Sequence, residues 1–257
     1  MTQVPAEASV PTFTPSSVLV PRFGVYGHFY TLGYPDARTV RCRSVLEIIT
    51  RRSELAGELG PEGHRPDAIF IMMNPGSSRP RQESQDPGER HAWTDWHGAD
   101  PRGRDLVETV PDPTQYQIMR IMAHRCWEHV RVLNLSDLRS PVSRQFLRLV
   151  QDLPTLDGGH PHSLFCPQRR AEREARLRRK PGAPLIAAWG VDPRLLPLIA
   201  SCLDALPLGE PLIGLLRPDT VCQYFHPRPP LPAGQRAWLQ AMAEQLRREQ
   251  GEAPAAE

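Results

Sequence analysis

The chain is poor in lysine, in paired cysteines and in long apolar runs. Of its 31 basic residues only Lys180 is a lysine; the other thirty are arginines. Schiff-base chemistry, which needs an amine, therefore has a single candidate, set among charged residues. The arginine bias partly reflects codon usage, but its planar fork also suits bidentate phosphate contact. The five cysteines, Cys42, Cys126, Cys166, Cys202 and Cys222, form no CxxC pair. That spacing argues against a structural zinc or an iron–sulfur cluster and suits buried thiols in a reducing compartment. No apolar run approaches membrane-spanning length. The opening MTQVPAEASVPTFTPSS has no basic region followed by an apolar core, so a cytoplasmic protein without a membrane partner is expected. A net charge of +2 excludes a polycation as a whole.

What is present is enough for a large core. The 257 residues are 40 % hydrophobic, and the 29 prolines predict many turns. Residues 1–20, rich in Pro, Ser and Thr, are expected to be a mobile arm, and 251–257 a loose tail. Between them apolar runs alternate with helical patterns. Strands are expected over 67–73, 129–136, 184–190 and 210–216, with 221–225 a short strand or extended loop. Helices are expected over 116–130, 143–153, 167–180, 192–206 and 232–250, and 39–59 is read as holding a further helix. This alternation predicts one α/β domain over 21–250, a three-layer α/β/α sandwich on a central parallel four-stranded sheet. The polar stretch 79–115 is read as an insertion, either a substrate-facing lid or a solvated loop.

In a parallel sheet ligands sit outside the carboxyl ends of the strands. The run IFIMMNPGSS (69–78) ends there on an amide, a proline, a glycine and two hydroxyls. Pro75 stops the ladder, Gly76 allows close backbone approach, and Asn74 is left at a stiff strand tip. Ser77 and Ser78 are candidates for bonding a base or phosphate. Asn134 ends a second strand. In QYFHPRPP (223–230), His226 precedes a proline on the same rim and can donate a hydrogen bond, and Arg228 lies two residues on.

Met73-Asn74-Pro75-Gly76, Asp112-Pro113-Thr114, Asn134-Leu135 with Arg139, Ala188-Trp189-Gly190 and His226-Pro227 occur in that order over roughly residues 66–245. This series resembles the uracil-DNA-glycosylase-like superfamily, most closely a poorly characterised bacterial branch. The resemblance implies a DNA glycosylase in which Asn74 orients the attacking water and His226 contacts the base. It departs from the usual pattern at Arg228, where a serine is common, and at Gly76, where uracil-specific enzymes place a bulky aromatic. The open side at Gly76 points to a pyrimidine with a large 5-substituent, and to antiviral defence rather than ordinary repair. With Lys180 the only lysine, a monofunctional hydrolase is expected, without metal or cofactor.

The remaining roles follow from that reading. Gly76, Ser77 and Asn134 would meet the base, and Trp93, Trp96 or Tyr26 would stack on it once flipped. Ser78, Arg79, Arg81, Arg139 and Arg228 on the rim, with Arg173 and Arg176 in the charged helix, would grip the DNA backbone. That helix is equally a solvated one laced with i,i+4 pairs. A monomer on DNA is expected. A nucleotide- or RNA-base enzyme, or a DNA-binding module without catalysis, stands as the alternative.

Overall fold

The computed structural model describes residues 10–52, 65–82, 90–98, 106–157, 159–249 and 251. They form an α/β fold on one mixed nine-stranded sheet. Its strands are β1 (Phe23–Gly33), β2 (Thr39–Thr50), β3 (Ala68–Met72), β4 (Arg79–Pro80), β5 (Arg90–Ala92), β6 (Val107–Val110), β7 (His129–Asn134), β8 (Leu185–Ala187) and β9 (Leu212–Ile213). The order is β4-β6-β1-β2-β7-β3-β8-β9, with β5 paired to β1. Strands β7, β3, β8 and β9 run parallel. The sheet then continues through the long antiparallel hairpin β1–β2, so four parallel strands are part of it and not the whole.

The hairpin corrects the helix expected over 39–59. Apolar residues at 42, 45, 46 and 49 imitate helical spacing. The cause is a bulge: pairing steps from His28↔Val45 to Phe29↔Arg43, leaving Ser44 unpaired. Beyond such a bulge the side chains exchange faces, so the two-residue alternation breaks. Val40, Cys42 and Val45 pack into one apolar layer, while Leu46 and Ile48 pack into the other. Residues 53–59 lie outside the described set.

The two layers cover opposite faces of the sheet. Ile69 and Ile71 of β3 face α3 (Ser143–Asp152) and α5 (Leu196–Ala205). Phe70 and Met72 face α2 (Pro113–Arg125) and α6 (Pro232–Glu249). Each buried Leu, Ile or Phe contributes about 1.5–3 kcal/mol. The expected 167–180 helix is a 3-10 turn followed by α4 (Arg170–Arg176).

Two further expectations change. The described parts of 79–115 are not an excursion from the sheet, because β4, β5 and β6 join its hairpin end. The arm is anchored from residue 13 onward, with α1 (Ser16–Leu19) burying Leu19 completely; residues 1–9 lie outside the described set, as do 252–257 of the tail. All five cysteines are free thiols, three of them buried. Among the described residues no helix is long and apolar enough to cross a membrane.

Candidate functional site

Parallel strands end on a common rim, and β3 and β7 finish level, with Met72 opposite Asn134. Beyond that point the chains stay joined: Leu135 N–H donates to Met72 O (2.7 Å) and Ser136 N–H to Met73 O (3.2 Å). Asn74 then turns its side chain onto residues 134–140. Its Nδ2 donates to Leu138 O (3.1 Å) and Ser140 O (2.9 Å). Both amide hydrogens are thereby spent, and the rigid amide plane aims Oδ1 away from those two carbonyls. Among the described residues no donor reaches Oδ1, so it is the part of Asn74 left for a ligand. Gly76 follows with φ +61, the left-handed region that glycine enters without penalty.

Asn134 does not face a ligand. It is fully buried; with both ends of its amide satisfied, it donates to Asn74 O (3.3 Å) and accepts from Arg43 Nη2 (2.9 Å). It is a strut behind the turn, and its expected place against a base is corrected. Burial pulls the Arg43 guanidinium down to about 10, opposed by the charges of Asp112 and Asp137.

The second half of the site arrives from the far end of the chain. Tyr224 bridges to Gly190 after β8 and to Leu216 after β9. Gly214 is required here, because a Cβ would sit 2.5 Å from Ala187 O and 2.6 Å from the Tyr224 ring. Two residues on, the half-buried His226 accepts the Arg228 backbone N–H at Nδ1 (3.2 Å). An accepting Nδ1 puts the proton on Nε2. Burial, reinforced by the Arg228 charge, holds this histidine down to about 4. It is therefore a neutral imidazole at physiological pH, with Nε2–H as its donor.

Helix α2 joins the two loops. Asp112 caps it, accepting from Thr114 N–H (2.8 Å) and Gln115 N–H (3.1 Å), while Gln115 Oε1 accepts from Asp112 N–H. A Cβ on Gly76 would lie 3.7 Å from Asp112 Oδ2, so the Asn-Pro-Gly turn sits against this cap. Five residues along, about 7.5 Å up the axis, Gln117 Nε2 donates to Pro227 O (2.9 Å), next to His226.

The other expected site residues divide. Ser77 and Arg79 are exposed by the turn, and Arg228 is exposed beside His226. Arg139 lies over the Phe29 ring (5.0 Å) and donates to Ser78 O (2.7 Å), so it clamps the turn. Exposed Arg81 pairs with Glu108 (3.1 Å). Ser78 is fully buried and cannot meet DNA as expected.

The charged helix is corrected too. Arg176 is buried beside Glu172 and so is no phosphate contact, while half-buried Arg173 donates through Nη1 to Cys166 O (3.0 Å). Trp96 is also corrected: it is buried, stacked on Tyr30 (4.1 Å), in the layer under α3. Trp93 stacks on Tyr34 (5.5 Å) in that same layer. Tyr26 lies on β1, folded back over Gly24. None of the three is brought to His226.

Sequence reasoning passed over Arg43, Gln117 and two apolar residues flanking His226, Phe225 and Leu231, which are 41 % and 70 % exposed. The signal available for the last two was their place at either end of the proline-rich run 227–230. Two hollows of about 500 and 570 Å³ flank residues 177–185, at the opposite end of β8 from Ala187. Most of their cations are committed: Arg170 to Glu174, Arg179 to Glu210 and Lys180 to Asp67. No family model, no curated protein and no solved structure matches the chain.

Proposed function

We propose that this protein is a monofunctional DNA glycosylase on a uracil-glycosylase-like α/β/α fold, hydrolysing the N-glycosidic bond of a flipped-out pyrimidine. The observation that carries this reading is the pair of preset groups on one rim. Asn74 offers a fixed carbonyl oxygen, and His226 a fixed neutral N–H donor. Bond cleavage turns the sugar cationic and the leaving base anionic. Asn74 Oδ1 holds the attacking water by one hydrogen, aligned before reaction. His226 Nε2–H donates to the base carbonyl oxygen, where negative charge appears only in the transition state. A neutral donor needs no proton uptake near pH 7.

Among the described residues Asp112 is the one neighbour a Cβ at Gly76 would approach, which leaves the ring side of the base open. The substrate class is therefore a pyrimidine with a bulky 5-substituent, such as the hypermodified cytosine of phage DNA, and the role is antiviral defence. Leu231, exposed on its stiff loop, fills the gap left in the duplex. Arg79 and Arg228 meet phosphates.

The test uses DNAs carrying cytosine, uracil, 5-hydroxymethylcytosine or its glucosylated form, followed by alkali. Breaks are expected for the bulky bases, lost in Asn74→Ala and His226→Ala. Leu231→Ala should reduce release from duplex more than from single strands. Breaks confined to uracil would overturn the substrate class, and none in any lane would overturn the activity.

A further inference from the structure

Arg120 is a guanidinium with 7 % of its surface exposed and, among the described residues, no carboxylate partner. Burial pushes its pKa down. A charge in that state costs stability, and an apolar side chain of similar size would commonly serve the core as well or better. Its surroundings give it a use. Arg120 Nε donates to Thr14 O (2.8 Å), and its plane lies 3.8 Å from the Phe13 ring centre. Arg236, at the start of α6, approaches the same ring (5.2 Å). Arg120 Nη1 donates to Gln117 Oε1 (2.6 Å). The fully buried Gln117 then donates both amide hydrogens, to Pro227 O and to Gln235 O, each at 2.9 Å.

We infer that Phe13, Arg120 and Gln117 form a strap by which the N-terminal arm positions the His226 loop. Gln117 is a positioning residue: it touches the loop backbone one residue from the imidazole and touches no reacting atom. Its two donors fit two carbonyls only while its own oxygen is satisfied, which fixes the amide's orientation. Arg120 supplies that donor, and Phe13 with Thr14 holds Arg120 in place. Cation–π contact at a desolvated site is strong enough to pin a chain end. Thus the first described segment of the chain sets the geometry of a loop more than 200 residues later. That this loop carries a catalytic donor rests on the glycosylase reading; the strap itself does not.

The experiment is hydrogen–deuterium exchange on the full chain, comparing wild type with Gln117→Ala, Phe13→Ala and Phe13→Trp. In Gln117→Ala, the backbone N–H groups of Phe225, His226, Arg228 and Leu231 should exchange about tenfold faster or more, with β3 and β7 unchanged. Phe13→Ala should give the same pattern more weakly, and Phe13→Trp, which keeps an aromatic face, should restore protection. Should Gln117→Ala fail to fold, Phe13→Ala, altered on a half-buried arm, decides alone. Unchanged exchange over 225–231, or a uniform rise across all segments, would overturn the strap. Base release is read in parallel, with kcat lowered and KM held. A loosened loop with no base release from any of the proteins would keep the strap and remove the glycosylase.

Discussion

An amide suits position 74 for a reason separate from its reactivity. A carboxylate there would polarise water more strongly, which makes Asn74→Asp look like an improvement. The structure argues the opposite. Both Asn74 amide hydrogens are donated to Leu138 O and Ser140 O. An aspartate would set an anionic oxygen against two carbonyl oxygens and leave both without a donor. We expect Asn74→Asp to lose about 1–3 kcal/mol, measured by urea unfolding, and, on the glycosylase reading, to release base no faster than wild type. The turn itself was legible in the sequence, because Asn-Pro-Gly after an apolar run has few other uses. The role of Asn134 was not. A polar residue at a strand tip reads the same whether it faces a ligand or, as here, a buried arginine from the neighbouring strand β2, far away in sequence.

At the scale of elements, the parallel strands were legible from their apolar runs and the long helices from their period. The hairpin was not, because one bulged residue converted a strand's alternation into helix-like spacing. The charged segment misled differently. Arginine and glutamate at helical spacing look like a solvated face until the sheet supplies buried partners in Glu47, Arg131 and Asp137. Helix α2 has the clearest N-terminal signal in the chain, Asp-Pro-Thr-Gln, and the structure gives that cap a second job against Gly76. Asp112→Ala removes the box. It should cost about 0.5–2 kcal/mol by denaturant titration and, on the glycosylase reading, also slow base release, because the turn loses its neighbour. Unchanged release at lowered stability would confine Asp112 to capping.

At the scale of the molecule, a line of buried charge ties α4 to the sheet. Glu47 takes His129 Nε2 at 2.8 Å and Arg131 Nε at 2.7 Å; Arg131 donates to Arg176 O. Glu172 and Arg169 carry the line on to Asp137, which also accepts from the Tyr30 hydroxyl (2.6 Å). Burial works against the Glu47 carboxylate, yet Arg131 and His129 outweigh it and hold it at about 2, below the 4.5 of a free glutamate. A carboxyl lowered by folding contributes its stability above the unfolded value and loses it as pH falls through the folded one. Unfolding free energy should therefore drop between pH 4.5 and 2. Glu47→Gln should lose about 3–5 kcal/mol at pH 7, because the buried Arg131 guanidinium is left without its anion, and should flatten that slope. An unchanged slope would assign the acid sensitivity to other groups. The loops of Asn74 and His226 are both tied to α2, and this arrangement also bears on synthesis. A nascent chain on the ribosome carries Gln117 long before it carries Pro227. The site therefore stays unassembled until the chain has been made past Pro227 and, on the glycosylase reading, a shorter nascent copy releases no base.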